Sequence, residues 1–412
     1  MFINSSLSGK AQDALTFEGQ KCYGGTQSDP PEFIKFFPDG SFISCGSSNS
    51  INGDVEPSVY NTAIWVFKAN KEGTILWQKR YGGNRNNFES IVISDVELTQ
   101  DGGCVIVGNT NLADGDFIGV HGPVSDGQYE YDGFIIKLSS AGTTEWLRCV
   151  GGSSYEFITS VTQSPSGSFI LVGQASSYDG DVSGYHGAYY DYPSDGDGWV
   201  VKINSNGMIT EQRCYGGLGF DAFTYITNAQ DNGFFVVGHT RSKDGDVSGF
   251  HTDEEGTPVF LDTWVLKLHE NISLNWQKCI GGVGREQSLM NSRFAPPVTS
   301  DGGIIISGTT TSNDGDMANV LYSSNYFFIK LSSMGIIDWK TFLGPANSGE
   351  LNGPMFAIEA DGGGSLLFAV HNVDFINSGN FIGNRGGTDA FIGKINSASG
   401  QLQWIVLAPQ IY

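Results

Sequence analysis

The chain has 412 residues, 39% of them hydrophobic and 12% aromatic, enough for a folded core and wrong for a disordered chain. Only 22 Lys and Arg stand against 44 Asp and Glu, a formal charge of −22, which disfavours nucleic acid and anionic membranes as partners. No run of about 18 apolar residues exists to span a bilayer, and the first twenty residues show no basic region followed by an apolar one.

The first element, "LTFEGQKCYGG" (15–25), is an apolar strand ending in two glycines, with no partner strands before it. The same signal returns as "WQKRYGG" (77–83), "WLRCVGG" (146–152), "EQRCYGG" (211–217) and "WQKCIGG" (276–282), and in degenerate form at 339–345 and 404–410. An acid follows every copy but the last: Glu32, Glu89, Glu156, Asp221, Glu286 and Glu350. Next comes an Asp-Gly type of turn leading into a strand, as in "QDGGCVIVG" and "SDGGIIISG". Glycine accepts positive φ without strain, so these dipeptides predict hairpins. A long loop then opens into "WVFK", "FIIK", "WVVK", "WVLK", "FFIK" or "FIGK", whose lysines are Lys68, Lys137, Lys202, Lys267, Lys330 and Lys394.

Runs of this length, rich in Val, Ile, Phe and Trp and cut by Gly and Asp, are strands, and no long amphipathic helix competes with them. Each unit holds four strands, a to d. Six units predict one all-β domain, a six-bladed β-propeller of four-stranded antiparallel blades. Its blades run approximately over 26–83, 84–152, 153–217, 218–282, 283–345 and 346–409. Residues 14–22 are expected to close the ring by joining the last blade, so that N- and C-terminal strands pair.

Cys22, Cys149, Cys214 and Cys279 hold one repeat position and Cys45 and Cys104 another, so the repeat itself keeps them apart as buried thiols. The strand-c lysines and the acids after the glycine pair recur together, which suggests a buried ion pair within each blade. The recurring tryptophans read as packing between blades.

The long b–c loops (47–62, 109–131, 174–197, 239–261, 309–324, 371–388) mark the face where a ligand is expected. They begin with Asp-Gly-Asp pairs: Asp114 and Asp116, Asp179 and Asp181, Asp244 and Asp246. Two carboxylates could begin a calcium site, and calcium is the one cofactor these loops offer. No loop has a complete calcium-binding pattern, and an Asp that caps a turn needs no metal. His121, His186 and His251 follow seven residues later and are expected to fasten their own loops. Blade three adds Tyr185, Tyr189, Tyr190, Asp191 and Tyr192, and blade two Tyr129 and Tyr131. Rings beside carboxylates suit sugar recognition.

The motifs "YGGxxxxE", "DGGxxIVGxTxSxDGDVSGxHG" and "DGWVVKIxSxG" followed by Trp resemble the SBBP-type bacterial β-propeller repeat of secreted and surface proteins in Bacteroidetes. The resemblance covers nearly the whole chain. It implies an extracellular or surface location and brings no catalytic residues with it. No serine-hydrolase elbow, zinc-protease motif or phosphate loop is present. The sequence thus points to a non-catalytic propeller binding a glycan or protein. A polysaccharide-active enzyme using loop-face carboxylates and a subunit of a larger surface assembly are the alternatives.

Overall fold

The computed structural model describes residues 20–57, 59–60, 63–83, 91–121, 130–187, 196–257, 260–288, 295–321, 325–344, 356–360, 364–373 and 388–407. These residues form six four-stranded antiparallel sheets, each with its strands in chain order. Sheet 1 holds β1 (Pro31–Phe36), β2 (Phe42–Ser48), β3 (Ala63–Ala69) and β4 (Ile75–Gly82). Sheet 2 holds β5 (Ile91–Leu98), β6 (Cys104–Thr110), β7 (Asp132–Leu138) and β8 (Thr144–Val150). Sheet 3 holds β9 (Glu156–Gln163), β10 (Phe169–Ala175), β11 (Asp197–Ile203) and β12 (Ile209–Tyr215). Sheet 4 holds β13 (Asp221–Asn228), β14 (Phe234–Thr240), β15 (Asp262–Leu268) and β16 (Leu274–Ile280). Sheet 5 holds β17 (Glu286–Ser288), β18 (Ile304–Thr310), β19 (Asn325–Leu331) and β20 (Ile337–Leu343). Sheet 6 holds β21 (Phe356–Ala360), β22 (Ser365–Val373), β23 (Thr388–Asn396) and β24 (Leu402–Leu407). The only helical element among the described residues is a 3-10 turn, Gly315–Met317.

The core lies between sheets. Ile64 and Val66 of sheet 1 pack on Ile93, Ile106 and Phe134 of sheet 2, and comparable layers fill each later interface. The middle strands are therefore buried on both faces, which is why "CVIVG" and "FIIKL" are apolar without alternation. First strands meet first strands from sheet to sheet, β1 with β5, β5 with β9 and β9 with β13. Each of these strands carries a bulge, and opposite it stands Gly46, Gly108, Gly173 or Gly238. A methyl group on any of these glycines would collide with a backbone carbonyl of the first strand.

Tryptophan locks neighbouring sheets together. The indole N–H of Trp77 donates to Ser140 O (3.0 Å), Trp146 to Ser205 O (2.9 Å), Trp276 to Ser333 O (2.9 Å) and Trp339 to Ser397 O (3.0 Å). Each ring lies flat against a glycine of the next sheet: Gly142, Gly207, Gly335 or Gly400. The third sheet departs, having Glu211 in place of Trp and facing Ile272 in place of Gly. Ile272 is fully buried and held at φ +51°, a conformation costly for a β-branched residue.

Contrary to expectation, Lys137, Lys202, Lys267 and Lys330 do not pair with the acids after the glycine pairs of their own sheets. Lys137 Nζ lies 2.7 Å from Asp101 and 3.3 Å from Glu145, and Lys267 lies 2.6 Å from Asp231. Lys330 pairs with Asp301 and, at 3.4 Å, with Asp338. Lys202 donates to Glu270 O (2.8 Å), and Lys68 covers the Phe37 ring at 3.9 Å. The reason is antiparallel geometry: the lysine ends strand c beside the a–b turn, whereas the acid begins strand a at the other end of the sheet.

All six cysteines are free, five of them buried and Cys22 exposed. Burial pushes the thiols of Cys104 and Cys149 up to about 12, so they are inert.

Candidate functional site

The Asp-Gly-Asp loops grip the glycine pair of the preceding sheet. The N–H of Asp116 donates to Gly82 O (2.9 Å) while the N–H of Gly82 donates to Asp116 Oδ2 (2.9 Å). Asp181 with Gly151 and Asp246 with Gly216 repeat both bonds, and so does Asp54 with Gly24. The first aspartate takes the next amide: Ser153 N donates to Asp179 Oδ1 (2.7 Å) and Leu218 N to Asp244 Oδ1 (2.8 Å). Asp114 is packed against Gly83 in the same way. Among the described residues no group of three or more His, Cys, Asp and Glu surrounds a point that could hold a metal. With these oxygens occupied by backbone donors, thermal melts in EDTA and in millimolar calcium are expected to coincide. A rise of several degrees with calcium would overturn that expectation.

Of the residues expected to bind a ligand, Tyr129, Tyr189, Tyr190, Asp191 and Tyr192 lie outside the described residues. Tyr131 stacks on Phe157 at 5.8 Å, and Tyr185 meets Tyr178 edge-on at 4.8 Å.

The histidines do fasten their own loops. His121 Nδ1 lies 2.8 Å from Asp132 Oδ2, and His186 and His251 lie 2.7 Å from Asp197 and Asp262. Each backbone N–H bonds the same carboxylate. The far nitrogen then points to the next sheet, His121 Nε2 3.9 Å from Asp181 and His186 Nε2 3.8 Å from Asp246. The bond to its aspartate raises the pKa of His121 and of His251.

A second set of carboxylates was not singled out by motif. Asp95 and Glu97 stand two apart on β5, hence on one face. The equivalent positions carry Ser160 and Thr162 on β9, and Tyr225 and Thr227 on β13. The register of the a–b turns would have revealed this break in the repeat. Asp95 accepts from Ser160 Oγ (2.8 Å) and Val161 N (3.2 Å) across the seam to sheet 3. Both acids keep some exposure, but protein surrounds them closely enough for desolvation to dominate. It raises Asp95, and it lifts Glu97 to about 7 with the Asp95 charge adding to it and Lys35 of sheet 1 opposing. Two carboxylates with unequal proton affinity can act as acid and base.

Elsewhere a groove of about 500 Å³ runs beside Asp54, Glu56, Trp77 and Lys79 and reaches Gly142 of sheet 2. Its Asp54 is occupied by the grip on Gly24.

No family model matches the chain, and no curated protein matches its sequence. The SBBP-type resemblance therefore rests on the quoted motifs. Among solved structures, hydrazine synthase of Kuenenia stuttgartiensis is similar at 9% identity and TM-score 0.45, over 95% of this chain and 99% of that one. Puromycin hydrolase (S511A mutant) is similar at 9% and 0.45, over 93% and 55%. A Synechocystis apocarotenoid oxygenase mutant is similar at 10% and 0.37, over 94% of each chain. These structures are of enzymes, against the expectation of a non-catalytic binding propeller. At such identities they assign no activity to this chain.

Proposed function

We propose that the six sheets are blades of a six-bladed β-propeller, and that the chain is an enzyme whose Glu97 and Asp95 cleave a glycosidic bond in a polysaccharide. Ring closure is supported at sheet 1. Tyr23 Oη donates to Gly73 O (2.7 Å), and Lys21 Nζ bonds the same carbonyl. The turn around Gly73 is equivalent to those where Gly142, Gly207, Gly335 and Gly400 receive the preceding sheet. Residues 20–25 thus stand in for the last strand of a preceding sheet, which in a closed ring is sheet 6. The expected closing strand, 14–22, lies mostly outside the described residues.

The observation that carries the enzyme reading is the pair of carboxylates on one face of β5, where β9 and β13 have hydroxyl groups and β1 has Phe33 and Lys35. Glycoside cleavage needs one carboxyl group to protonate the leaving oxygen and another to act as base or nucleophile. Glu97, held at about 7, keeps its proton near neutrality and is suited to donate it. Asp95, which accepts from Ser160 Oγ and from two backbone N–H groups, is the second carboxyl group on that face and the partner of Glu97.

A panel of plant, microbial and animal polysaccharides, read by reducing-end release, tests this. Glu97→Gln is expected to lower kcat by about 100-fold or more with an unchanged melting temperature. The parent's rate should fall as pH rises through about 7, where Glu97 loses its proton. Parental activity in Glu97→Gln, or no cleavage anywhere in the panel, overturns the reading.

A further inference from the structure

We infer that the seams between sheets 2 and 3, 3 and 4, and 4 and 5 are proton-operated latches, each holding a pair of buried acids that share a proton and come apart when it leaves. At the first seam, a methyl group placed on Gly151 would lie 2.7 Å from Asp132 Oδ1 and 2.9 Å from Glu156 Oε2. Two acids from neighbouring sheets thus flank one glycine. At the second, Gly216 stands between Asp221 Oδ2 (2.6 Å) and Asp197 Oδ1 (2.7 Å) in the same sense. At the third, Gly281 stands between Asp262 and Glu286 Oε2 (2.8 Å). All six acids are buried to within 1% of completely.

The oxygens Asp132 Oδ1 and Asp197 Oδ1, which stand against Gly151 and Gly216, are fully enclosed and have no hydrogen-bond partner. A buried carboxylate oxygen facing another acid is tolerable when a proton lies between them, because the protonated group donates to its neighbour. Burial raises all six groups, Glu156, Asp221 and Glu286 to about 7 and Asp197 to about 6.

The other groups facing each seam are few. Asp95, His121, Asp181 and Arg148 face the first, with Arg148 3.7 Å from Asp181 and Asp95 accepting from Ser160 Oγ. His186 and Asp246 face the second. His251, Asp316 and Lys278 face the third, Lys278 lying 3.9 Å from Asp316. Cys149, Cys214 and Cys279 also face the pairs, but burial raises their thiols and keeps them neutral. Loss of the shared proton leaves two like charges in a dry seam, and at the first and third seams loss of the proton on His121 or His251 removes a cation beside the pair.

The repeat supplies its own control. Ala63 and Asn325 occupy the Asp132 position in sheets 1 and 5, so the seams they begin lack the first acid of the pair. The Asp116–Gly82 grip is nevertheless intact between sheets 1 and 2. The acid pair is therefore an addition to the architecture rather than a requirement of it. Glu156 and Ser160 share β9, so loosening the first seam also disturbs the Ser160–Asp95 bond.

Amide hydrogen exchange of the full chain between pH 5.5 and 8.5, corrected for intrinsic rates, tests the latches without an activity readout. Protection of the Asp181 and Gly152, Asp246 and Gly217, and Asp316 and Gly282 amides is expected to fall about tenfold or more. The Asp116 and Gly82 amides should stay flat. Asp132→Asn should flatten the first seam and leave the other two responsive. Equal pH response at all four seams overturns the inference, as does an Asp132→Asn protein whose first seam still responds. If that variant does not fold, the comparison of the four seams in the native chain decides.

Discussion

The protein is expected to melt at a higher temperature at pH 5 than at pH 8, the reverse of what paired surface carboxylates usually give. Glu97, Glu156, Asp221 and Glu286 are held at about 7, Asp197 at about 6, chiefly by burial. A carboxyl group whose folded pKa lies above its unfolded value binds more protons folded than unfolded. Its stabilising contribution is complete below the ordinary carboxylate range, roughly pH 4, and is lost as pH climbs to about 7. The raised histidines, His121 and His251, act with the same sign and extend the loss upward in pH. Each group in its window tilts stability by about 1.4 kcal/mol per pH unit. Partial relaxation of the seams leaves a total on the order of 5 kcal/mol. At roughly 2 cal/mol/K per residue, that lowers the melting temperature by about 6 °C. The opposite limb comes from Asp101, Asp231 and Asp301, which their lysines hold down, Asp301 to about 2. These lose their contribution as pH falls below about 4, so the optimum lies near pH 4. Calorimetry from pH 3.5 to 8.5 reads the whole curve. A plateau from pH 5 to 8 would contradict the buried proton count.

The strands were legible because every unit repeats the same four signals, and hairpin glycines and apolar runs each act within a few residues. The Trp–Gly locks were legible only in part. Tryptophan recurs visibly, but its partner glycine sits in the next unit, and nothing local connects Trp77 with Gly142. The lysine pairing was misread for a related reason. Co-occurrence along the chain suggested contact, whereas an antiparallel sheet puts the Lys137 ammonium beside the a–b turn and Glu156 at the far end of its own strand. The Asp-Gly-Asp loops drew attention as candidate calcium sites because carboxylates are conspicuous. That their oxygens meet the glycine pair of the preceding sheet is a tertiary fact. Asp95 and Glu97 escaped notice because they belong to no motif. They are visible only as two acids where no described sister strand carries one, once the units are aligned on their a–b turns.

Exchanging Glu211 for Trp and Ile272 for Gly is expected to give a double variant far more stable than its two singles would add up to. At four seams an indole lies on a glycine. At the seam between sheets 3 and 4, Ile272 fills that space from the other side, fully buried and with φ +51°. Ile272→Gly alone removes a buried side chain, a loss of about 2–5 kcal/mol, and relief of the left-handed backbone returns about 1 kcal/mol. Glu211→Trp alone drives an indole toward space that Ile272 occupies, costing about 1–3 kcal/mol by overpacking. Together they restore the arrangement of Trp146 on Gly207, including a carbonyl within reach of the indole N–H, since Glu270 holds the position of Ser205. The Tyr215 hydroxyl still finds the carbonyl of residue 272, because that bond (2.7 Å) is to the backbone. A favourable coupling of about 2–3 kcal/mol is expected, the size typical of residues sharing one packing site. Urea unfolding of the parent, both singles and the double measures it directly. Strict additivity would mean that Ile272 and the missing indole do not share a space.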